Sequence, residues 1–323
     1  MESADISVVI PAYNEAERLP EAVKSAQAQT LAPREIIVVD DGSSDDTATV
    51  ARELGVTVIS QENKGLPGAR NTGIRAAKGA WIALLDSDDI WEAEKLERQW
   101  TAIQSCPEAA LVACDYRQFT DAGEVVHPSF LSQPGRYEQA EKHCLGEGVS
   151  RIDAPGDNFL RGGYFLIPSS TMFQRETALA VGLFDESLRY VEDVEFFLRI
   201  LSRGPLVMVE SVLLNYRVHE SNMSNDRLKM ALGVLAASDR ILAEPERYAE
   251  GADRYARFLQ RRDLPVALRE LLAHGRFAEA RALGGRHLLR AYSHRALALW
   301  LAALAGPSVF NALLAVKRRL GDA

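Results

Sequence analysis

Asp86-Ser87-Asp88-Asp89 places three carboxylates within four residues. Hard divalent cations such as Mn²⁺ or Mg²⁺ take oxygen ligands, and Mg²⁺ is usually held by one or two carboxylates together with substrate phosphates. Two aspartates separated by one residue on an extended loop can serve a metal and a ribose from the same side. The plainer role for this segment is an acidic turn that caps a helix starting near Ile90. Asp40-Asp41-Gly42-Ser43-Ser44 is a second acidic turn. A carboxylate there can accept the imide N–H of a uracil or thymine ring, and Gly42 permits close approach. As structure alone, it would be a strand-to-helix cap. The glycine-rich, basic run Asn63–Asn71 precedes a helix and suits a loop near phosphates, with Arg70 facing the nucleotide. Its spacing fits neither the phosphate-binding P-loop nor the dinucleotide fingerprint, which removes the main support for a kinase or a dehydrogenase.

Two further positions carry possible chemistry. Glu192-Asp193 precedes an apolar helical stripe beginning at Val194. A carboxylate at a helix start is stabilised in its charged form by the free N–H groups and the helix dipole. That suits a cap, and equally a general base that must be ionised at neutral pH. His219 is a lone histidine in a polar stretch. Such a residue is commonly a hydrogen-bonded surface histidine, but imidazole is also a ligand for Mn²⁺.

The surrounding pattern must position these groups. Ile6–Ile10, Glu35–Val39, Val56–Ser60 and Trp81–Leu85 read as buried strands, with helices over about Glu15–Gln29, from near Asp46, and over Gly68–Ala77. This alternation predicts an α/β fold with a mostly parallel sheet flanked by helices. In such sheets ligands bind beyond the carboxyl ends of the strands. The loops Pro11–Glu15, Asp40–Ser44 and Asp86–Asp89 should therefore converge on one crevice. Further on, Leu111–Tyr116 reads as a strand, Gly123–Val126 as an edge strand, Glu192–Arg203 as a helix and Leu206–Tyr216 as a last strand. From Arg227 the pattern is helical, broken at Gly251, Pro265, Gly275, Gly284-Gly285 and Gly306-Pro307. The expected units are a nucleotide-binding half (1–110), a second half carrying the base (111–226) and a helical C-terminal extension (227–323).

Composition is that of an ordinary globular protein, with 47% hydrophobic and 25% charged residues. The net charge of −8 divides unevenly: residues 1–226 carry −16 and residues 227–323 carry +8. An acidic front end excludes a general nucleic-acid binder and suits a collector of divalent cations. Cys106, Cys114 and Cys144 follow no metal-ligand spacing and are expected to be free thiols in a reducing cytoplasm. The N-terminus lacks the layout of an export signal, so a cytoplasmic location is expected.

Taken together, Ser7–Glu15, Val38–Thr47, Asn63–Gly73, Asp86–Asp89 and Glu192-Asp193, in this order, resemble family 2 glycosyltransferases. The resemblance implies the GT-A fold, a nucleotide-sugar donor (a UDP-sugar), inverting chemistry and a divalent metal, Mn²⁺ or Mg²⁺. By it, Pro11, Tyr13 and Glu15 border the nucleoside, Asp41 reads the pyrimidine, and Asp86 with Ser87 approaches the ribose. Asp88 holds the metal with Asp89 beside it, Asp193 is the catalytic base, and His219 faces the metal or diphosphate. The chain lacks the Gln-x-x-Arg-Trp motif after the base and the row of membrane spans of the processive synthases, which implies single additions. The acceptor is then a glycan or a lipid-linked precursor.

The resemblance leaves the helical third unexplained. Ala296–Val316 is apolar and flanked by Arg295 and Lys317-Arg318-Arg319, but Gly306-Pro307 and Asn311 interrupt it. It reads as two amphipathic helices, suited to an anionic membrane surface at the inner face of the membrane, to packing on the enzyme, or to a homodimer contact. Two other readings differ in class. A sugar nucleotidyltransferase would carry a Gly-rich basic loop directly after the first strand, where this chain has Pro11-Ala12-Tyr13-Asn14-Glu15. An inactive nucleotide-sugar-binding module would have no need of Asp86, Asp88 and Asp193 together.

Overall fold

A computed structural model of the protein describes residues 4–134, 137–308 and 310. The chain runs β1 (Ala4–Ala12), α1 (Leu19–Gln27), β2 (Pro33–Asp40), α2 (Thr47–Glu53), β3 (Thr57–Ser60), α3 (Leu66–Ala76), β4 (Trp81–Leu84), β5 (Ile90–Trp91) and α4 (Lys95–Ser105). Then follow β6 (Leu111–Thr120), β7 (Val125–His127), β8 (His143–Gly146), β9 (Val149–Ile152), α5 (Pro155–Gly162), β10 (Thr171–Gln174), α6 (Arg175–Val181), α7 (Glu192–Ile200) and β11 (Leu206–Val218). Four helices close it: α8 (Arg227–Ala243), α9 (Ala252–Ala273), α10 (Phe277–His287) and α11 (His294–Ala305).

The main sheet has the order β3-β2-β1-β4-β10-β6-β11-β9-β8. Its first four strands are parallel, as their β-branched runs predict, with Ile10 opposite Val38 and Val8 opposite Ala83. The rest is mixed: β10 lies antiparallel between β4 and β6, and β9 is antiparallel to β11. The α/β architecture with flanking helices and a helical C-terminal region is the one expected. The structure adds the short strand β10 and the β8–β9 hairpin, whose residues form no continuous β-branched run.

Three local expectations need correction. No helix starts at Ile90: Ile90 and Trp91 pair with Asn215 and Leu214, and the helix waits until Lys95. Pro265 does not break the chain but lies inside α9. An internal proline costs about 3 kcal/mol, and here Leu259, Leu264, Ala267 and Leu268 bury the helix on both sides of it. Gly284-Gly285 also lies within a helix, α10. A Cβ on Gly284 would stand 2.0 Å from the Trp300 ring of α11, so the glycine makes room for that ring.

The C-terminal helices do not form a separate layer. Val234, Ala237 and Ile241 of α8 and Tyr255, Ala256 and Leu259 of α9 belong to the core that contains the sheet. Leu228, Ala231 and Leu235 of α8 join Leu264, Leu268 and Leu272 of α9, with α10 and α11, in a second core. Each of the two long helices thus spans both cores. Residues 309 and 311–316 of the predicted amphipathic stretch, and its basic flank 317–319, lie outside the described residues. Among the described residues no helix is long and apolar enough to cross a membrane. Cys106 and Cys114 are buried, Cys144 is exposed, and all three are free thiols.

Candidate active site

A cleft of about 830 Å³ opens at the carboxyl ends of β1, β2 and β4. Pro11, Tyr13, Glu15, Asp41, Arg70, Asp86, Ser87, Asp88, Asp193 and His219 all line it. The three loops converge as the strand-end geometry requires, and they are tied to one another. Ser44 N–H donates to Asn14 Oδ1 at 2.8 Å and Asn14 N–H to Ser43 Oγ at 2.9 Å, joining the loop after β1 to the loop after β2. Asn14 holds φ +55°, a left-handed conformation that asparagine tolerates. Tyr13 beyond the strand is half exposed and offers its ring to the cleft.

Asp41 is buried and accepts from Gln61 Nε2 (2.6 Å), Lys64 N–H (2.9 Å) and Gly65 N–H (2.8 Å). It therefore builds the 61–65 loop. A carboxylate has about four acceptor positions, so one is left open. Gly65 holds φ +80°, a left-handed conformation that favours glycine.

Arg70 lines the cleft with its guanidinium engaged by two carboxylates. It is 1% exposed, with Nη1 2.7 Å from Glu192 Oε1 and Nη2 2.7 Å from Asp86 Oδ1, and its guanidinium lies over the Phe184 ring. The reason is burial. A cation on a helix packed into the core must find its counter-charges there, and α3 meets one on the β4 loop and one on α7.

The loop after β4 is fixed from behind. Asp86 N–H donates to Ser169 Oγ at 2.9 Å, and Trp91 Nε1 donates to the Ser169 carbonyl at 2.8 Å. From the other side, Asp89 Oδ1 accepts from Arg217 N–H (2.9 Å), and Arg217 Nε donates to the Asp88 carbonyl (2.8 Å). These bonds join the end of β11 to the acidic loop and bring His219 Nε2 within 3.0 Å of Asp88 Oδ2. His219 Nδ1 lies 2.8 Å from Ser221 Oγ. Burial, with Asp86 adding, holds Asp88 above the usual carboxylate range. Burial, with Asp88 adding, does the same to Glu15. Asp89, buried with its side chain turned to the Arg217 backbone, is raised well above that range by burial and by Asp88.

Asp86, Asp89 and Glu15 set further carboxylates around Asp88. Among the described residues no group of three or more His, Cys, Asp or Glu side chains could hold a metal by itself. Asp88 and His219 supply one oxygen and one nitrogen donor, a set that suits a divalent ion completed by substrate phosphates and water.

At the opposite wall, α7 begins after Val191, which holds φ +62° and ψ +22°. A β-branched residue in the left-handed region costs on the order of 1–3 kcal/mol, and such strain gathers at functional sites. Here it turns the chain so that Glu192 meets Arg70 while Asp193 lines the cleft. Asp193 Oδ2 accepts from Tyr164 Oη at 3.3 Å. Burial raises Asp193, and Arg70 works against that rise. Burial, then Asp193, holds the Tyr164 phenol far above its usual range, so it remains a donor. Tyr164 and Ser169 had no sequence signal, being single residues in an irregular stretch. The Arg70–Glu192 pair joins positions 122 apart.

The sequence profile of glycosyl transferase family 2 matches residues 7–161. An uncharacterized glycosyltransferase of Rickettsia prowazekii (strain Madrid E) is 31% identical over 226 residues, covering 69% of this chain and 67% of the relative. Among solved structures, S. aureus TarS matches with a TM-score of 0.61 at 18% identity over 92% of this chain, which spans 54% of that TarS chain. The TarS 1-349 form in complex with UDP-GlcNAc matches with a TM-score of 0.59 at 18% identity, over 93% of this chain and 79% of its own. At such identity the likeness is one of fold.

Proposed function

The chain belongs to glycosyl transferase family 2, and on that premise we propose that it is an inverting, non-processive transferase that moves a sugar from a UDP-sugar to an acceptor hydroxyl. The observation that carries the reading is the shared cleft: the Asp41–Asp86–Asp88 side and the Asp193 side face one space. TarS 1-349, the fold relative, has been crystallised with UDP-GlcNAc, which supports a UDP-sugar here. Asp41 has one acceptor position left for the pyrimidine imide, Tyr13 offers a ring to the base, and Asp86 and Ser87 stand where the ribose would lie.

Asp193 takes the proton from the acceptor hydroxyl as its oxygen attacks the anomeric carbon on the face opposite the diphosphate. The C–O bond to the diphosphate breaks and its electron pair leaves with the diphosphate, so configuration inverts. A positioned base contributes on the order of 10²–10⁴ in rate. Asp88 and His219 would hold Mn²⁺ or Mg²⁺, which supplies Lewis-acid stabilisation of the departing diphosphate. Non-processive action is supported by the missing Gln-x-x-Arg-Trp motif.

A panel of nucleotide sugars tests the reading. One uridine diphosphate sugar should release UDP slowly to water in the presence of Mn²⁺ or Mg²⁺. Chelation should stop the release, and Asp88→Ala should lower it by about 10²–10³. Release that is indifferent to chelator, or none from any sugar nucleotide, sinks the reading.

We place the acceptor, a glycan or lipid-linked precursor, within reach of a membrane face. Leu289 is 94% exposed, and Tyr292, Leu301 and Leu304 are about half exposed, among Arg286, Arg290 and Arg295. Apolar and basic side chains together suit an anionic lipid surface. The protein should float with vesicles containing an anionic lipid and remain behind with neutral ones, and Leu289→Glu with Arg290→Glu should weaken flotation. Equal flotation of both proteins removes the tail from membrane binding.

A further inference from the structure

The two sides of the cleft differ in chemistry. The donor side is built of carboxylates, whereas beyond Asp193 the wall is apolar. α8 contributes Met230 and Val234, spaced i, i+4, and α9 contributes Tyr255, Leu259 and Arg262, spaced i, i+4, i+7, so each helix presents one face. Val234, Tyr255 and Leu259 are 2–5% exposed and form the floor, while Met230 is half-buried. Phe159 packs between Tyr164 and Tyr255, with ring centroids at 5.1 and 5.8 Å, so the ring that bonds Asp193 is continuous with this wall. Arg262 lines the same wall, with Nε donating to Asp263 Oδ2 at 2.7 Å. None of these α8 and α9 residues lies in the segment that matches the family profile.

A bare sugar placed here would set hydroxyls against Met230, Val234 and Leu259, and a buried hydroxyl without a partner is costly. An apolar group attached to the sugar would instead gain by leaving water.

The geometry points to this face of α8 and α9 as an acceptor subsite for the apolar aglycone of a glycoside, whose sugar hydroxyl is thereby presented to Asp193. The inference rests on the transferase reading above and adds the acceptor class. It also gives the helical extension a part in specificity.

The test uses the full-length protein with the UDP-sugar found in the panel. Octyl and methyl β-glycosides of glucose, galactose and N-acetylglucosamine are compared below micelle formation. The readout is the concentration that half-maximally changes UDP release, whether by diverting it to transfer or by excluding water. For at least one sugar the octyl form should act at about tenfold lower concentration than the methyl form, the effect of burying about two methylenes. Val234→Phe, which fills the floor, and Met230→Gln, at a half-buried position that the fold tolerates more easily, should each reduce that ratio to about threefold or less. The donor KM should stay nearly constant. Octyl and methyl forms of equal potency, or a ratio untouched by both variants, overturns the subsite. Absence of UDP release by the wild-type protein with no glycoside present overturns the transferase reading instead.

Discussion

Asp193→Asn is expected to lower the rate of sugar transfer by about 10²–10⁴ while the donor binds nearly as before. The amide keeps the shape of the carboxylate and can still accept from Tyr164 Oη, so the helix start and the wall of the cleft persist. What it loses is the ability to take a proton. Equilibrium binding of the UDP-sugar and single-turnover transfer, measured side by side, separate these effects; full transfer by the variant would move the base elsewhere. The pH profile adds a second check. Burial raises Asp193 above the ordinary aspartate value of about 3.9, with Arg70 opposing. The base works only when ionised, so wild-type transfer should fall as pH drops through a value higher than an exposed aspartate would give. The part of the acid limb that Asp193 sets should disappear from the residual activity of Asp193→Asn.

The second large effect concerns stability. Arg70→Met removes a cation that is 1% exposed and leaves Glu192, itself 5% exposed, and Asp86 without it. Breaking a buried pair by deleting one partner costs about 3–5 kcal/mol, which a urea titration would show as an earlier midpoint with an unchanged slope. The loss should depend on pH, and its sign follows from Glu192. Burial raises that carboxyl, while Arg70 acts to lower it. Without Arg70 the folded protein holds the Glu192 proton still more tightly than the unfolded chain does. Stability of the variant is then best at low pH and is lost as pH rises through the folded value. Wild-type Glu192 is itself raised to about 7, so the gap should be nearly constant from about pH 5 up to that value and larger only above it, as at about pH 9. Arg70→Lys keeps the charge but not the two-pronged geometry, and should fall between the two. A variant as stable as wild type at both pH values would show that the Asp86–Arg70–Glu192 chain carries little of the fold. The same chain links the loop after β4 to the start of α7, so donor-side and base-side carboxylates are positioned by one side chain.

Much of this was legible in the linear order of residues. The runs at Ile6–Ile10 and Glu35–Val39 are β-branched and uninterrupted, and they form adjacent parallel strands because a strand covered on both faces has no use for alternation. Once the strands are known, chain direction alone places Pro11–Glu15, Asp40–Ser44 and Asp86–Asp89 at one end of the sheet. Short-range chemistry identified Glu192-Asp193 as the start of a helix. Pro265 and Gly284-Gly285, breaks by local propensity, lie inside α9 and α10 because packing outweighs propensity there. Long-range pairing decided the rest. The glycines and the lysine beside Arg70 in sequence point to a place near the nucleotide but say nothing of its ion pairs. Its partners, 16 and 122 residues away, could be known only once α3 and α7 were packed together. His219 was a lone histidine until the Asp89–Arg217 bond set it against Asp88. Tyr164 became a partner of Asp193 only through folding, and α8 and α9 became walls of the cleft by sharing the main core. A sequence specifies which strands form and which loops share an end of the sheet, because those follow from burial and chain direction. Which charge meets which, and which helix closes a pocket, depends on distances that exist only in the packed state.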